Sequence, residues 1–176
     1  MKFIGVLLSA GEGSRARFKK PKQVLRIGGK LLFQYALESL IKSYNYDEVL
    51  IVVSHKTQKQ IRGVVAKNYP NYKITILLGG KTRQDSIINS LNYIKNNIRF
   101  CDAVLFQDAA RPFIIKKDYA SVIEKVKGGS DGAIVVEPVR GLSISARHGS
   151  VHAIAKNITY LTHMPECYTY KSLWEL

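Results

Sequence analysis

The stretch Phe3-Ile4-Gly5-Val6-Leu7-Leu8-Ser9-Ala10-Gly11-Glu12-Gly13-Ser14-Arg15 runs from an apolar segment straight into glycine, serine and charge. Phe3 to Leu8 is too short for a buried helix and long enough for a strand covered on both faces, as strands of a parallel sheet are. It is also too short for a secretory leader, so it reads as the first buried strand of a cytoplasmic protein. A glycine loop at the carboxyl end of such a strand lets backbone N–H groups approach a phosphate chain, because no side chain holds the anion away. The loop lacks the third glycine of a dinucleotide fingerprint and the Gly-Lys-Ser/Thr ending of a P-loop. Alone, it reads equally as a structural turn or a phosphate cradle. The following Lys19-Lys20-Pro21-Lys22-Gln23 favours the cradle: Pro21 fixes the backbone beside Lys22, and Lys22 and Arg15 supply positive charge.

Outward from this loop, short runs rich in Val and Ile alternate with segments of helical period. Further strands are expected at Glu48 to Val53, Lys73 to Leu78, Ala103 to Gln107 and Gly132 to Pro138. Helices are expected over Leu31 to Ser43, Gln58 to Asn68 and Gln84 to Lys95, where apolar residues recur on one face. The alternation is that of an α/β fold with a doubly wound, mostly parallel sheet covered by helices. Residues 139 to 156 break the rhythm: Leu142, Ile144 and Ala146 alternate before Arg147-His148-Gly149-Ser150, and Val151, Ala153 and Ala155 after it. That pattern is a hairpin turning at Gly149. A lone hairpin is marginal in water, so it is expected to lie against the domain or a second subunit. The whole of 1–176 reads as one domain carrying this arm.

Composition narrows the partners. Of 176 residues, 27 are Lys or Arg and 13 Asp or Glu, a net charge of +14 that calls for an anionic partner. The cations are scattered and no nucleic-acid motif with interleaved aromatics accompanies them, so nucleic acid is not expected. No apolar run approaches the ~20 residues of a membrane span. Cys101 and Cys167 lack the spacing of a zinc site and read as reduced packing residues. His55, His148, His152 and His163 have no carboxylate at recognisable spacing and read as surface or packing histidines.

Two further segments carry chemistry. Gly79-Gly80-Lys81-Thr82-Arg83-Gln84-Asp85-Ser86 joins a strand to a helix, and can either set backbone groups and Ser86 against the edge of a base or be a plain turn capped by Asp85 or Ser86. Asp108-Ala109-Ala110-Arg111-Pro112 puts a carboxylate at the tip of a buried strand. With phosphates nearby, Asp108 suits Mg²⁺, which takes a few carboxylates plus phosphate oxygens and water. A salt bridge between Asp108 and Arg111 is the other reading, and the two are compatible.

Taken in order, Gly11-Glu12-Gly13-Ser14-Arg15 with Pro21-Lys22-Gln23, Gly79-Gly80-x-x-Arg83-x-x-Ser86 and Asp108-Ala109-Ala110-Arg111-Pro112 resemble the motif series of the methylerythritol-phosphate cytidylyltransferases and their ribitol-phosphate relatives. The resemblance implies an enzyme that moves CMP from CTP to a polyol phosphate, 2-C-methyl-D-erythritol 4-phosphate or ribitol 5-phosphate, and releases pyrophosphate. It implies Mg²⁺ as cofactor and a homodimer formed through the hairpin arm. Arg15, Lys22 and Asp108 would be catalytic, with Asp108 on the metal. Ala10, Gly11, Gly13, Ser14, Gly80 and Ser86 would bind CTP, and Arg111 and Lys156 the acceptor. Departures from the family pattern are Pro138-Val139-Arg140-Gly141-Leu142 where an Asp-Thr pair follows Pro-Val, Lys156 where an arginine stands, and Met164-Pro165-Glu166 in place of Thr-Pro-Gln. The chain ends at Leu176, before a late lysine-bearing segment of the family, and a shortened, non-catalytic homologue is the alternative expectation.

Overall fold

The computed structural model describes residues 1–11, 20–139, 144–147, 150–153 and 160–175. In chain order its elements are β1 (Phe3–Ser9), β2 (Arg26–Ile27), β3 (Lys30–Leu31), α1 (Leu32–Ser43), β4 (Glu48–Val53), α2 (His55–Asn68), β5 (Ile74–Leu78) and α3 (Arg83–Asn97). Then follow β6 (Ala103–Asp108), α4 (Lys116–Lys127), β7 (Gly132–Pro138), β8 (Ile144–Arg147), β9 (Ser150–Ala153) and β10 (Tyr160–Thr169).

Every residue of β1 is buried, because the strand lies inside the sheet and is covered on both faces. The sheet runs β5-β4-β1-β6-β10-β7. From β5 to β6 all pairs are parallel, whereas β10 is antiparallel to both β6 and β7. The expected parallel sheet is therefore correct for four strands. β7 does not join it directly, since β10 lies between.

Alternation along β1 divides the core in two. Phe3 and Leu7 face Leu37 and Leu40 of α1, Ile61 of α2 and Tyr119, Val122 and Ile123 of α4. Ile4, Val6 and Leu8 face the other way, onto Leu91 and Ile94 of α3, with Tyr170 and Leu173 from the end of the described chain packed alongside. Helices thus cover both faces. Outside the expectation are the short β2–β3 pair, α4, which adds to the first layer, and β10, whose ladder with β7 skips Met164 and Pro165 between His163 and Glu166. The Met164–Pro165 peptide is cis.

The strands expected on either side of Gly149 pair, β8 with β9 from Ile144↔Ala153 to Arg147↔Ser150, as a two-stranded sheet separate from the main one, while Gly149 itself lies outside the described residues. Cys167 is buried in the core and Cys101 is half-buried, both as free thiols. His163 does have a carboxylate neighbour, which spacing along the chain could not show: its Nε2 lies 3.3 Å from Oε2 of Glu137 on β7.

Candidate active site

The strand order reverses at β1, whose neighbours β4 and β6 lead to opposite halves of the sheet. In open α/β sheets the crevice for ligands lies beyond the carboxyl ends of the strands at such a switch point. Register shows what is gathered there. Ser9 is level with Val53 of β4, Val53 with Leu78 of β5, and Leu8 with Asp108 of β6. The segments leaving these positions are Ala10-Gly11, Gly79-Gly80 and Asp108-Ala109, so the three sequence motifs emerge along one edge.

Close packing ties the first two together. A Cβ on Gly79 would come 2.5 Å from Cβ of Ala10 and 2.7 Å from Oγ of Ser86, and one on Gly80 would overlap the Asp85 side chain. Only glycine lets the turn after β5 lie this close to the loop after β1. The N–H of Gly79 donates to the Val53 carbonyl at 2.9 Å, and that of Ala109 to Leu8 at 2.9 Å, continuing the ladder past the strand ends.

Lys22 begins a 3-10 turn, Lys22–Val24, entered through Pro21 at φ −55°. The turn is anchored by Gln23, which is buried and donates its side-chain amide to the carbonyl oxygens of Ser9 at 2.7 Å and Gly11 at 2.9 Å. Lys22, half-buried, is thereby held beside the loop that follows β1. Arg15, Gly13, Ser14 and Lys156 lie outside the described residues.

The turn before α3 is capped, with Asp85 taking part as expected from sequence and Thr82 as the N-cap residue that the sequence reading did not name. Thr82 is the N-cap: its Oγ1 accepts from the Asp85 N–H at 3.0 Å, and Asp85 accepts from the Thr82 N–H at 2.9 Å, a reciprocal capping box. Hydrogen bonds from Thr82 hold the Asp85 carboxyl below its ordinary pKa. Ser86 is buried; its Oγ accepts from the Gly80 N–H at 3.2 Å and donates to the Thr82 carbonyl at 3.0 Å. The cap of α3 and the Gly79–Gly80 turn are therefore one hydrogen-bonded structure.

Asp108 lies between two arginines. Its Oδ1 is 3.5 Å from Nε of Arg83, and its Oδ2 is 3.7 Å from Nε of Arg111, the salt bridge foreseen as the other reading. The turn is closed by the Arg111 N–H donating to the Asp108 carbonyl at 3.0 Å. Beneath it, buried Gln107 donates to the Arg111 carbonyl at 3.4 Å and receives a hydrogen bond from Tyr119 of α4. Arg83 also binds Glu166 of β10, which in turn accepts from the Tyr168 hydroxyl at 3.1 Å. Burial opposes the charge on Arg83, yet Glu166 and Asp108 outweigh it and hold the guanidinium above its ordinary pKa. Sequence reading assigned no role to Gln23, Arg83 or Glu166. Arg83 stands inside the second motif, so a signal was present; the contact of Glu166 depends on β10.

This arrangement can hold a polyphosphate chain and a base along one edge, with Asp108 and its two arginines at the β6 end. The profile of the family described as 2-C-methyl-D-erythritol 4-phosphate cytidylyltransferase matches residues 3–169. An enzyme of that name from Thermotoga neapolitana is 32% identical over 170 residues, covering 97% of this chain and 74% of the relative. One from Vibrio vulnificus is 29% identical over 167 residues, covering 94% and 69%. Among solved structures, the cytidylyltransferase of Francisella tularensis superposes with a TM-score of 0.79 at 22% identity, covering 99% of this chain and 76% of that one. The 4-diphosphocytidyl-2C-methyl-D-erythritol synthase of Anaerococcus prevotii gives 0.80 at 17%, covering 99% and 74%. With Gly11, the Lys22 turn, the Gly79–Ser86 segment and Asp108 at the carboxyl ends of the strands, and the family profile matching from β1 to the last residue of β10, the chain belongs to the 2-C-methyl-D-erythritol 4-phosphate cytidylyltransferase family.

Proposed function

We propose that this chain transfers the cytidylyl group of CTP to 2-C-methyl-D-erythritol 4-phosphate and releases pyrophosphate. What carries the reading is the convergence of the Lys22 turn, the Gly79–Ser86 segment and Asp108 at one strand edge, in a chain of this family. The reaction needs no nucleophile from the protein. An oxygen of the acceptor phosphate attacks the α-phosphorus in line. A new P–O bond forms there while the bond to the α,β-bridging oxygen breaks, and pyrophosphate leaves with that electron pair. The protein's part is alignment and neutralisation of charge developing on the phosphoryl oxygens. Lys22, with Arg15, serves the triphosphate, and Arg111 and Lys156 serve the acceptor phosphate.

The base end has a preference built in. The N–H of Gly80 and the hydroxyl proton of Ser86 are engaged within the turn, so neither donor is offered to a base. Acceptors suit the exocyclic amine of cytosine and oppose the corresponding carbonyl of uracil.

Asp108 fits a Mg²⁺ that draws its other ligands from the triphosphate and water. The described residues contain no cluster of three metal-ligating side chains, so a cage made wholly of protein groups is not formed by them. Bound there, the ion would neutralise phosphoryl charge and draw phosphate oxygens toward the edge. Arg83 and Arg111 flank the carboxylate on either side.

The β8–β9 hairpin, detached from the main sheet, is read as an arm that packs on a second copy of the chain. No helix among the described residues is long and apolar enough to cross a membrane, and a CTP-dependent reaction is assigned to the cytoplasm. The test is pyrophosphate release from CTP and Mg²⁺ with 2-C-methyl-D-erythritol 4-phosphate and with ribitol 5-phosphate. Release with the former supports the reading, release with ribitol phosphate alone redirects it, and release with neither leaves a binding protein. Sedimentation of the same sample measures the dimer.

A further inference from the structure

A cavity lies apart from this edge. It is a groove of about 660 Å³ between the β2–β3 hairpin with α1 on one side and α2 on the other, and none of its lining residues belongs to the segments assigned above to CTP or acceptor. Its volume is that of a small-molecule site.

Its chemistry is cationic. Arg26 and Lys30 come from the hairpin, Lys59 and Lys67 from α2, and Glu38 of α1 is the one acid in the wall. That carboxylate is already answered: Lys30 donates to both its oxygens, at 2.7 and 2.8 Å, and the Tyr69 hydroxyl donates to Oε1 at 2.9 Å. Gln34 extends the polar floor with a 3.3 Å hydrogen bond to the Tyr69 oxygen. The groove therefore presents cationic charge over a floor with its acid neutralised.

The α2 wall adds a second observation. Gly63 sits mid-helix on the groove, and a Cβ built on it would meet nothing within 4 Å. Packing does not demand glycine there, and glycine costs a helix stability relative to alanine. What glycine does at this position is keep the helix backbone open to whatever enters. Lys59 and Lys67 flank it, eight residues and so about 12 Å apart along the axis, a span that matches an extended polyanion better than a single phosphate.

We propose that this groove is a second anion site, for a small molecule bearing a diphosphate or longer phosphate chain, separate from the site of CTP. The hairpin that carries Arg26 and Lys30 follows directly on the Lys22 turn, with the Leu32 N–H donating to the Leu25 carbonyl at 2.9 Å between them. A ligand here would thus steady the segment that presents Lys22.

Tripolyphosphate is the probe, titrated by calorimetry into wild-type protein, Lys22→Ala, the double variant Lys59→Glu/Lys67→Glu, and a control, Lys116→Glu/Lys117→Glu, on α4. Two binding events are expected in wild type. One is lost in Lys22→Ala; the other weakens at least tenfold in Lys59→Glu/Lys67→Glu, which keeps its affinity for CTP, and in Gly63→Leu, which fills the groove. The control leaves both unchanged. A single event that disappears with Lys22 and ignores the groove variants overturns the proposal. So does an equal loss in the α4 control, which would mark general charge attraction. Because the second event is read by binding alone, it stands or falls independently of whether the chain turns over CTP.

Discussion

Gln23 donates its side-chain amide to the main-chain carbonyl of Ser9 at 2.7 Å. With its second bond, to Gly11 at 2.9 Å, this amide couples the end of β1 to the turn that carries Lys22. Replacing Gln23 by Leu keeps bulk and removes both donors, leaving the buried Ser9 carbonyl without that bond at a cost of about 1–3 kcal/mol. The expected result is a lower melting temperature and a turnover loss beyond it, since Lys22 is no longer held. A melt and initial rates at saturating CTP measure the two. Unchanged turnover would remove Gln23 from any positioning role.

Lys22 itself predicts the opposite balance. It is half-buried, so Lys22→Ala gives up little packing. A charge contact strengthened in the transition state is worth about 3 kcal/mol, or roughly a hundredfold in rate. Turnover should fall by that order with folding nearly intact. Near-parental turnover at saturating CTP would sink the assignment.

How much of this could be read beforehand differs by element. β4 and β7 carry their bounds in the sequence, as Val- and Ile-rich runs between polar residues. The hairpin β8–β9 is equally legible from alternation around Gly149. α4 shows a helical period in Tyr119, Val122, Ile123 and Val126, so its signal exists in the chain. β10 is different. Pro165 lies within it, and the ladder to β7 skips two residues, so neither alternation nor β-propensity marks the strand. The site inherits this division: motifs next to strand ends were legible, while the Arg83–Glu166 contact needed β10, inserted from far along the chain.

That contact makes a prediction about metal dependence. Arg83 divides its guanidinium between Glu166 and Asp108. In Glu166→Ala the guanidinium is left to Asp108 alone, where it competes with Mg²⁺. The Mg²⁺ concentration for half-maximal activity should rise several-fold, and less in Glu166→Gln, which keeps an acceptor for Arg83. Asp108→Asn should raise it further and largely abolish transfer, with stability little changed because the ion pairs are partly exposed. If Asp108→Asn mainly lowers the melting temperature and leaves the Mg²⁺ profile unmoved, Asp108 is only a partner of the arginines.

The base end is tested by Ser86→Ala. The variant removes the acceptor for the Gly80 N–H and frees that donor toward a base. Donors suit the carbonyl of uracil, so the ratio of kcat/KM for CTP over UTP should fall by about tenfold, in the range that one polar contact provides. A ratio unchanged while both rates drop would mean Ser86 only supports the turn.

Buried acids set the alkaline limit of the fold. Burial pushes the Cys167 thiol from 9.0 up to about 12, and does the same for Cys101. Burial likewise raises the Tyr119, Tyr69 and Tyr168 phenols from 10.0 to about 12. A pKa raised in the folded state means that the unfolded chain loses its protons first. The stability is then fully present below the unfolded pKa and is lost as pH climbs toward the folded one. The melting temperature should therefore hold to about pH 9 and decline between 9 and 12, first through the thiols and then the phenols. Self-repulsion of a +14 chain weakens as pH rises and works the other way. The pair Cys101→Ala/Cys167→Ala separates the two effects, since removing the thiols leaves the lysines untouched and should delay the onset of the decline. A double variant whose alkaline profile matches wild type, or rapid labelling of Cys167 in the folded protein at pH 8, would show that the thiols are not held protonated by burial.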